Sequence, residues 1–502
     1  MKYLSTRDDS IRLSGAQAIV KGLSADGGLF VPESFARLTL DDIGALVDMT
    51  YVERAARILG LFLDDFSADE LKKMASDAYD GKFEGGRPAP VKTLDARTHV
   101  MELSHGPTCA FKDMALQLLP RLMVASKRKL GDNRRVCILA ATSGDTGKAA
   151  LEGFRDVEGT QCVVFYPHGG VSPTQRLQMV TQRGNNVDVV AVRGNFDDTQ
   201  RGVKRIFGDA EAKARVEAMG CELSSANSIN FGRLAPQIAY YFSAYADLVA
   251  RGEISLGDEI EFAVPTGNFG NILAGIYAKW MGLPVKRFIC CSNRNKVLDD
   301  FLRTGVYDVR REFFKTTSPS MDILISSNLE RLLFEMSGRD AARVRGWMDA
   351  LMSTGMYRVD DDTRRRMDAL LSSGWADDDS VAAEIKRTWN EHNYLMDTHT
   401  AVAMRVMREY RERACDATPC VVVSTASPFK FSADVLHALK GADVPADPFK
   451  CADELESLSG ERMPEQLREL KSLPVLHSTV TAPEGMEQAV LNAISEKIKK
   501  SD

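Results

Sequence analysis

The chain lacks the spacings that announce a metal or redox centre. Its nine cysteines (Cys109, Cys137, Cys162, Cys221, Cys290, Cys291, Cys415, Cys420, Cys451) form no Cys-x-x-Cys pair, so a zinc site of the usual spacing is not expected. The seven histidines form no His-Glu-x-x-His, the spacing of a helical zinc protease site. No apolar run reaches the roughly 18 residues a membrane helix needs. Met1–Asp9 carries no apolar core of the secretory kind. Neither sign of charge dominates: Lys+Arg 64 against Asp+Glu 70 leaves a net −6. That balance argues against a broad nucleic-acid footprint. Repeats and low-complexity tracts are absent as well. Hydrophobic residues at 44% and charged residues at 27% exclude a disordered chain, a collagen and a coiled-coil rod. These absences predict a reducing, cytoplasmic setting with cysteines packed as small hydrophobes and no bound metal.

What is present, over 502 residues, is a recurring unit of short apolar run, Gly-rich turn and helical stretch. It appears at Arg135–Ala141, Gln161–Tyr166, Val187–Val192, Glu261–Val264, Val285–Cys291 and Val421–Ser424. Apolar runs without alternation read as strands buried on both faces. They predict an α/β protein of two wound, mostly parallel sheets with helices on both faces, preceded by an N-terminal mainly helical region. The expected division is residues 1–95, a large α/β domain from 96–134 and 255–502, and a small α/β domain over 135–254. The acidic clusters Asp360–Asp362 and Asp377–Asp379 read as solvated helix ends or loops, with a metal site as the alternative.

Four segments carry candidate chemistry. In His105-Gly106-Pro107-Thr108-Cys109-Ala110-Phe111-Lys112-Asp113 a lysine opens a helix expected over Asp113–Lys127. The helix dipole and apolar neighbours both disfavour its protonation, and a neutral amine is what a Schiff-base lysine requires. An exposed lysine is the plain alternative. In Pro265-Thr266-Gly267-Asn268-Phe269-Gly270-Asn271 two glycines between strand and helix let backbone N–H groups converge on an anion; a tight turn without a ligand is the alternative. In Thr142-Ser143-Gly144-Asp145-Thr146-Gly147 hydroxyls and free N–H groups at a helix start suit a carboxylate; simple N-capping by Asp145 or Thr146 is the alternative. Its Gly147-Lys148 tail is not a P-loop, since Thr142 and Ala149 stand where glycine and Ser/Thr are needed. The fourth, Val421–Pro428, ends a strand in Ser424-Thr425, which presents hydroxyls to a heterocyclic nitrogen or simply forms a turn. His105 and His399 lie in turn-like contexts from which they could approach a site.

Taken in order, these segments resemble those of threonine synthases, in the longer form found in fungi and many bacteria. The resemblance also runs through Ser24–Pro32, Gly170–Gln175, Ser228–Arg233, Ser318–Ile323 and Asp397–Ala401. It implies the tryptophan-synthase-β-like fold (fold type II) of pyridoxal-phosphate enzymes. It further implies a lyase that converts O-phospho-L-homoserine and water to L-threonine and phosphate by γ-elimination and β-addition of water. The alternative on the same scaffold is a phospholyase giving a 2-keto acid, ammonia and phosphate. Residue by residue, it implies Lys112 as the Schiff-base lysine, Gly267, Asn268, Phe269 and Asn271 around the cofactor phosphate, and Thr425 at the pyridine nitrogen. Ser143, Asp145 and Thr146 are the expected substrate-carboxylate ligands. Lys148, Arg233 and Lys430 remain open as cations for the substrate phosphate. The expected partner is the small-molecule substrate alone, with no nucleic acid or membrane, in a cytoplasmic monomer or homodimer. Cys109, Phe231, Thr398 and Ser427 depart from the residues commonly found in that family.

Overall fold

The computed structural model describes residues 1–142, 144–441 and 443–501, with residues 496–501 as backbone only. Two sheets organise the chain. The larger has six strands in the order Leu371–Trp375, Val285–Ser292, Ile260–Pro265, Cys420–Ser424, Thr98–Glu102 and Val91–Asp95, parallel except for the last pair. The smaller has five parallel strands in the order Val480–Thr481, Val187–Val192, Thr160–Pro167, Arg135–Ala141 and Cys221–Ser224. Ile260–Pro265, Cys420–Ser424 and Thr160–Pro167 are buried along their whole length, as their largely apolar, non-alternating sequence leads one to expect. The expected α/β class, two wound sheets with helices and an N-terminal region, is the observed one.

The N-terminal region owes its helices to four capping boxes, led by Ser14, Thr39, Thr50 and Ser67. It also contains strands: Tyr3–Ser5 pairs antiparallel with Phe30–Pro32. Helix Phe231–Ala250 is apolar on nearly every face and buried nearly throughout. Asp360 and Asp377 cap helices Asp361–Leu370 and Asp378–His392, as the helix-end reading expected. The chain's last segment joins the five-stranded sheet, although the sequence places it with the larger one over 255–502. Val480–Thr481 adds the edge strand, and Met486, Val490 and Ile494 bury their side chains in the same cluster as Val163 and Val190.

The helix expected over Asp113–Lys127 is two helices, Asp113–Leu116 and Leu119–Lys129. Pro120 explains the break, because it supplies no N–H and crowds the preceding turn. Gly153 fixes the neighbour of the first piece. A Cβ at Gly153 would collide with the Leu116 carbonyl, so helix Asp145–Phe154 lies directly against Asp113–Leu116.

Candidate active site

Lys112 is placed by a short antiparallel bridge rather than by its helix. Ala110 bridges Ala426, the Phe111 N–H donates to the Thr425 carbonyl (2.9 Å), and the Ser427 N–H donates to the Cys109 carbonyl (3.1 Å). The loop before Lys112 is thereby zipped to the continuation of strand Cys420–Ser424, so Lys112 and Thr425 are set by the same contact. Cys109 takes a left-handed φ of 57° while fully buried, a conformation held only by its surroundings. Asp113 steadies the turn, accepting from the Thr108 N–H (2.8 Å) and hydroxyl (2.7 Å). Burial raises its pKa to about 6 despite these bonds.

Lys112 Nζ lies 3.4 Å from Ser320 Oγ and 3.8 Å from Asp145 Oδ2. Burial lowers its pKa to about 8, with Lys430 and Arg233 pushing the same way against the pull of Asp145. Desolvation is therefore the leading cause, and the helix dipole invoked from sequence has little to act through in a four-residue helix.

Asp145 is a charge partner, not a cap. Burial opposes its charge, yet Lys430 and Lys112 together hold it well below the usual carboxylate range. Lys430 Nζ lies 2.7 Å from Asp145 Oδ1, and Gln175 Nε2 donates to the same oxygen (3.2 Å). The N-cap residue is Gly144, and the Thr142 hydroxyl oxygen accepts from the Gly144 and Gly147 N–H groups, each at 2.9 Å. A carboxylate so occupied repels a second carboxylate, so Asp145 is unsuited to the substrate-carboxylate role expected of it. Thr146 remains partly exposed at the same helix start, and Ser143 lies outside the described residues.

The Gly267–Asn271 turn ends in a helix N-terminus with no side-chain cap. Phe269 supplies the left-handed residue (φ 63°), whereas Gly267 is needed for space. A Cβ on Gly267 would stand 3.1 Å from the Ser320 carbonyl oxygen and 3.3 Å from Met321 Cα. The Asn268 carbonyl accepts from the Asn328 N–H (3.1 Å). Tyr240 (2.5 Å) and Tyr241 (2.8 Å) both donate to Asn271 Oδ1, which fixes the amide and leaves buried Nδ2 without a partner among the described residues. A free amide donor beside uncapped helix N–H groups is the chemistry of an anion cradle.

Of the remaining cations, Lys148 is paired with Glu152 (3.3 Å) and bonded to Gln182. Arg233 is buried and holds no carboxylate among the described residues. One of its nitrogens donates to the Ala226 carbonyl (2.9 Å), and its Nε has no partner among the described residues. His105 belongs elsewhere, bonded to Glu102 (2.9 Å), whereas His399 reaches the Lys112 neighbourhood through Ser320. Sequence reasoning missed Ser320, Gln175 and the Asp145–Lys430 pairing as parts of the site. The one signal toward Ser320 and Gln175 was their presence within the family-like segments Ser318–Ile323 and Gly170–Gln175.

Two wound sheets carrying a mostly buried, low-pKa lysine, an anion cradle at a helix start and a strand-end hydroxyl define a pyridoxal-phosphate-dependent enzyme. Family models agree: "Pyridoxal-phosphate dependent enzyme" matches residues 85–426, "Threonine synthase N terminus" residues 2–79 and "Threonine synthase, C-terminal" residues 400–490. The chain belongs to the threonine synthase family. It is 40% identical over 457 residues to threonine synthase of Pseudomonas aeruginosa, covering 91% of this chain and 94% of that one. It is also 40% identical over 435 residues to human threonine synthase-like 1, but spans only 58% of that protein's length. The crystal structure of PLP-bound threonine synthase from Brucella melitensis aligns with a TM-score of 0.88 at 38% identity, covering 98% of this chain and 99% of that one. The yeast threonine synthase structure aligns with a TM-score of 0.88 at 31% identity, covering 99% of each chain. Among the described residues, no helix is long and apolar enough to cross a membrane, and no group of three or more His, Cys, Asp or Glu could hold a metal.

Proposed function

We propose that this protein is a threonine synthase, converting O-phospho-L-homoserine and water to L-threonine and phosphate in the cytoplasm, as a monomer or homodimer without nucleic-acid or membrane partners. The observation that carries the reading is the placement of Lys112: a mostly buried amine, 13% exposed, 3.4 Å from Ser320 Oγ and 3.8 Å from Asp145 Oδ2, with desolvation lowering its pKa to about 8. The residues present fit pyridoxal 5′-phosphate, with Lys112 as Schiff-base partner, Gly267, Asn268, Phe269 and Asn271 at its phosphate and Thr425 at its ring nitrogen. When bound, the cofactor supplies a carbonyl for the substrate amine and an electron sink for the reaction.

The chain's own groups do the rest. A lysine with a pKa of about 8 is partly neutral at physiological pH, so its amine can attack and can accept a proton from substrate carbon. Thr425 offers an uncharged hydroxyl, which does not stabilise a protonated ring nitrogen as a carboxylate would. The N–H groups at the start of helix Asp145–Phe154 that Thr142 does not occupy, with Thr146 and Ser143, take the substrate carboxylate. Arg233, a buried cation without a carboxylate partner among the described residues, takes the substrate phosphate. The sequence-based domain division is kept, amended so that the C-terminal segment packs with the five-stranded sheet.

Product analysis with O-phospho-L-homoserine tests the reading. Threonine and phosphate in equal amounts are expected. A 2-keto acid with ammonia would replace it with a phospholyase, and no turnover by cofactor-loaded protein would overturn it.

A further inference from the structure

Ser318–Asp322 forms one tight turn centred on Pro319–Met321, and it is held from two sides. On one side the Asp322 carboxylate accepts from Asn293 (2.8 Å), Asn295 (2.9 Å), the Thr316 N–H (2.9 Å) and the Thr316 hydroxyl (2.7 Å). On the other, the Ser320 N–H donates to His399 Nε2 at 3.1 Å. Because that nitrogen accepts, the ring proton sits on Nδ1 and is donated to Asp397 Oδ1 at 2.8 Å. Asp397 is in turn bonded by Thr400, whose hydroxyl lies 3.0 Å from Ser424 Oγ. The His399 ring packs on Phe431, with centroids 4.9 Å apart. A buried polar chain thus runs from the end of the central strand to the Ser320 backbone.

The Ser320 side chain stands at the centre of the site. Its hydroxyl donates to Asp145 Oδ2 (3.3 Å) and lies 3.4 Å from Lys112 Nζ. With its proton committed to Asp145, the oxygen presents a lone pair to the lysine. The direct Lys112–Asp145 separation is longer, 3.8 Å. Ser320 therefore stands between an amine that must act uncharged and a carboxylate whose charge favours the protonated amine.

We propose that Ser320 is a catalytic residue: its hydroxyl accepts a hydrogen bond from Lys112 Nζ, aims the amine at substrate and keeps its ion pair with Asp145 from closing below 3.8 Å, while His399, oriented by Asp397, is the residue that positions Ser320. The proposal deepens the function above and rests on Lys112 being the reacting amine.

Four variants test it: Ser320→Ala, Ser320→Thr, His399→Leu and His399→Gln. Each is assayed in the holoenzyme for kcat and KM with O-phospho-L-homoserine. Each is also assayed without cofactor, by the rate at which acetic anhydride labels Lys112 at fixed pH, read by peptide mass mapping. Ser320→Ala is expected to lower kcat about tenfold or more, as misplacement of a reacting group does, with KM within about twofold, and to slow Lys112 labelling. Ser320→Thr keeps the hydroxyl and most of both rates. His399→Leu copies Ser320→Ala, and His399→Gln, which restores an acceptor near the Nε2 position, recovers part of the loss. Wild-type kcat and labelling rate in Ser320→Ala overturn the proposal; should that variant not fold, Ser320→Cys, a poorer acceptor of like size, is judged by the same two readouts. If borohydride fixes cofactor on a lysine other than Lys112 in the wild-type protein, the functional reading falls, and this one with it.

Discussion

Lys430 Nζ and Asp145 Oδ1 lie 2.7 Å apart with side chains only 1% and 4% exposed. Lys430 follows the central strand of the six-stranded sheet and Asp145 follows strand Arg135–Ala141 of the five-stranded sheet, so this pair locks the two loops that frame Lys112. Lys430 also donates to the Thr108 carbonyl (3.1 Å), in the segment leading to Lys112.

Lys430→Met leaves Asp145 with Lys112 as its remaining charge partner. Removing one member of a buried pair costs about 3–5 kcal/mol. Urea unfolding is expected to show a loss of that order, and the double variant Lys430→Met/Asp145→Asn should recover part of it. Equal stability of the single variant and wild type would show that the pair does not hold the loops together.

Lys112→Ala is expected to abolish turnover and the absorbance near 410–420 nm, the usual region (about 415 nm) for a pyridoxal Schiff base. In the wild-type protein, covalent attachment of cofactor should quicken as pH rises through about 8, where Lys112 loses its proton. Folding lowers this pKa, so between about 8 and the usual lysine value the native chain binds fewer protons than the unfolded one. Its contribution to stability therefore increases with pH across that window. An attachment rate flat through this range would contradict the assignment.

Gly267→Val should weaken cofactor binding far more than it lowers the melting temperature. The added carbons meet the Ser320 carbonyl and Met321 Cα, backbone that cannot swing aside, and crowd the phosphate cradle. Cofactor titration beside thermal melting checks this; unchanged affinity in a folded variant would refute the cradle.

Thr425→Asp should still bind cofactor but make threonine much more slowly. A carboxylate at this nearly buried position favours a protonated ring nitrogen, which the hydroxyl does not. Rapid-scan absorbance with O-phospho-L-homoserine should show a long-wavelength species that the wild-type protein does not accumulate. Wild-type turnover without that species would move attention to Ser424.

The sheets were legible in sequence where strands are buried on both faces: Phe262–Val264 and Val421–Val423 are apolar without alternation, as a half-solvated strand would not be. Edge strands were not. Leu371-Ser372-Ser373-Gly374-Trp375 has no strand pattern of its own and is a strand because Val285–Ser292 offers a free edge beside it. Val480–Thr481 joins its sheet for the same reason.

The candidate site divides along the same line. Lys112, Gly267–Asn271 and Thr425 stand in local segments whose composition allows an amine, an anion cradle and a strand-end hydroxyl; the residues alone left an exposed lysine and plain turns open, and the resemblance to the family singled these groups out as candidates. Only the tertiary structure decided what surrounds them. Asp145 became the partner of Lys430 and Lys112 instead of a cap or a carboxylate ligand, because burial makes an unpaired charge too costly to leave alone. Ser320 reached Lys112 through His399 and Asp397, residues far apart in the chain whose hydrogen bonds exist only once strand, turn and helix have packed. Local chemistry is written in neighbouring residues; charge pairing and orientation depend on which segments burial brings together.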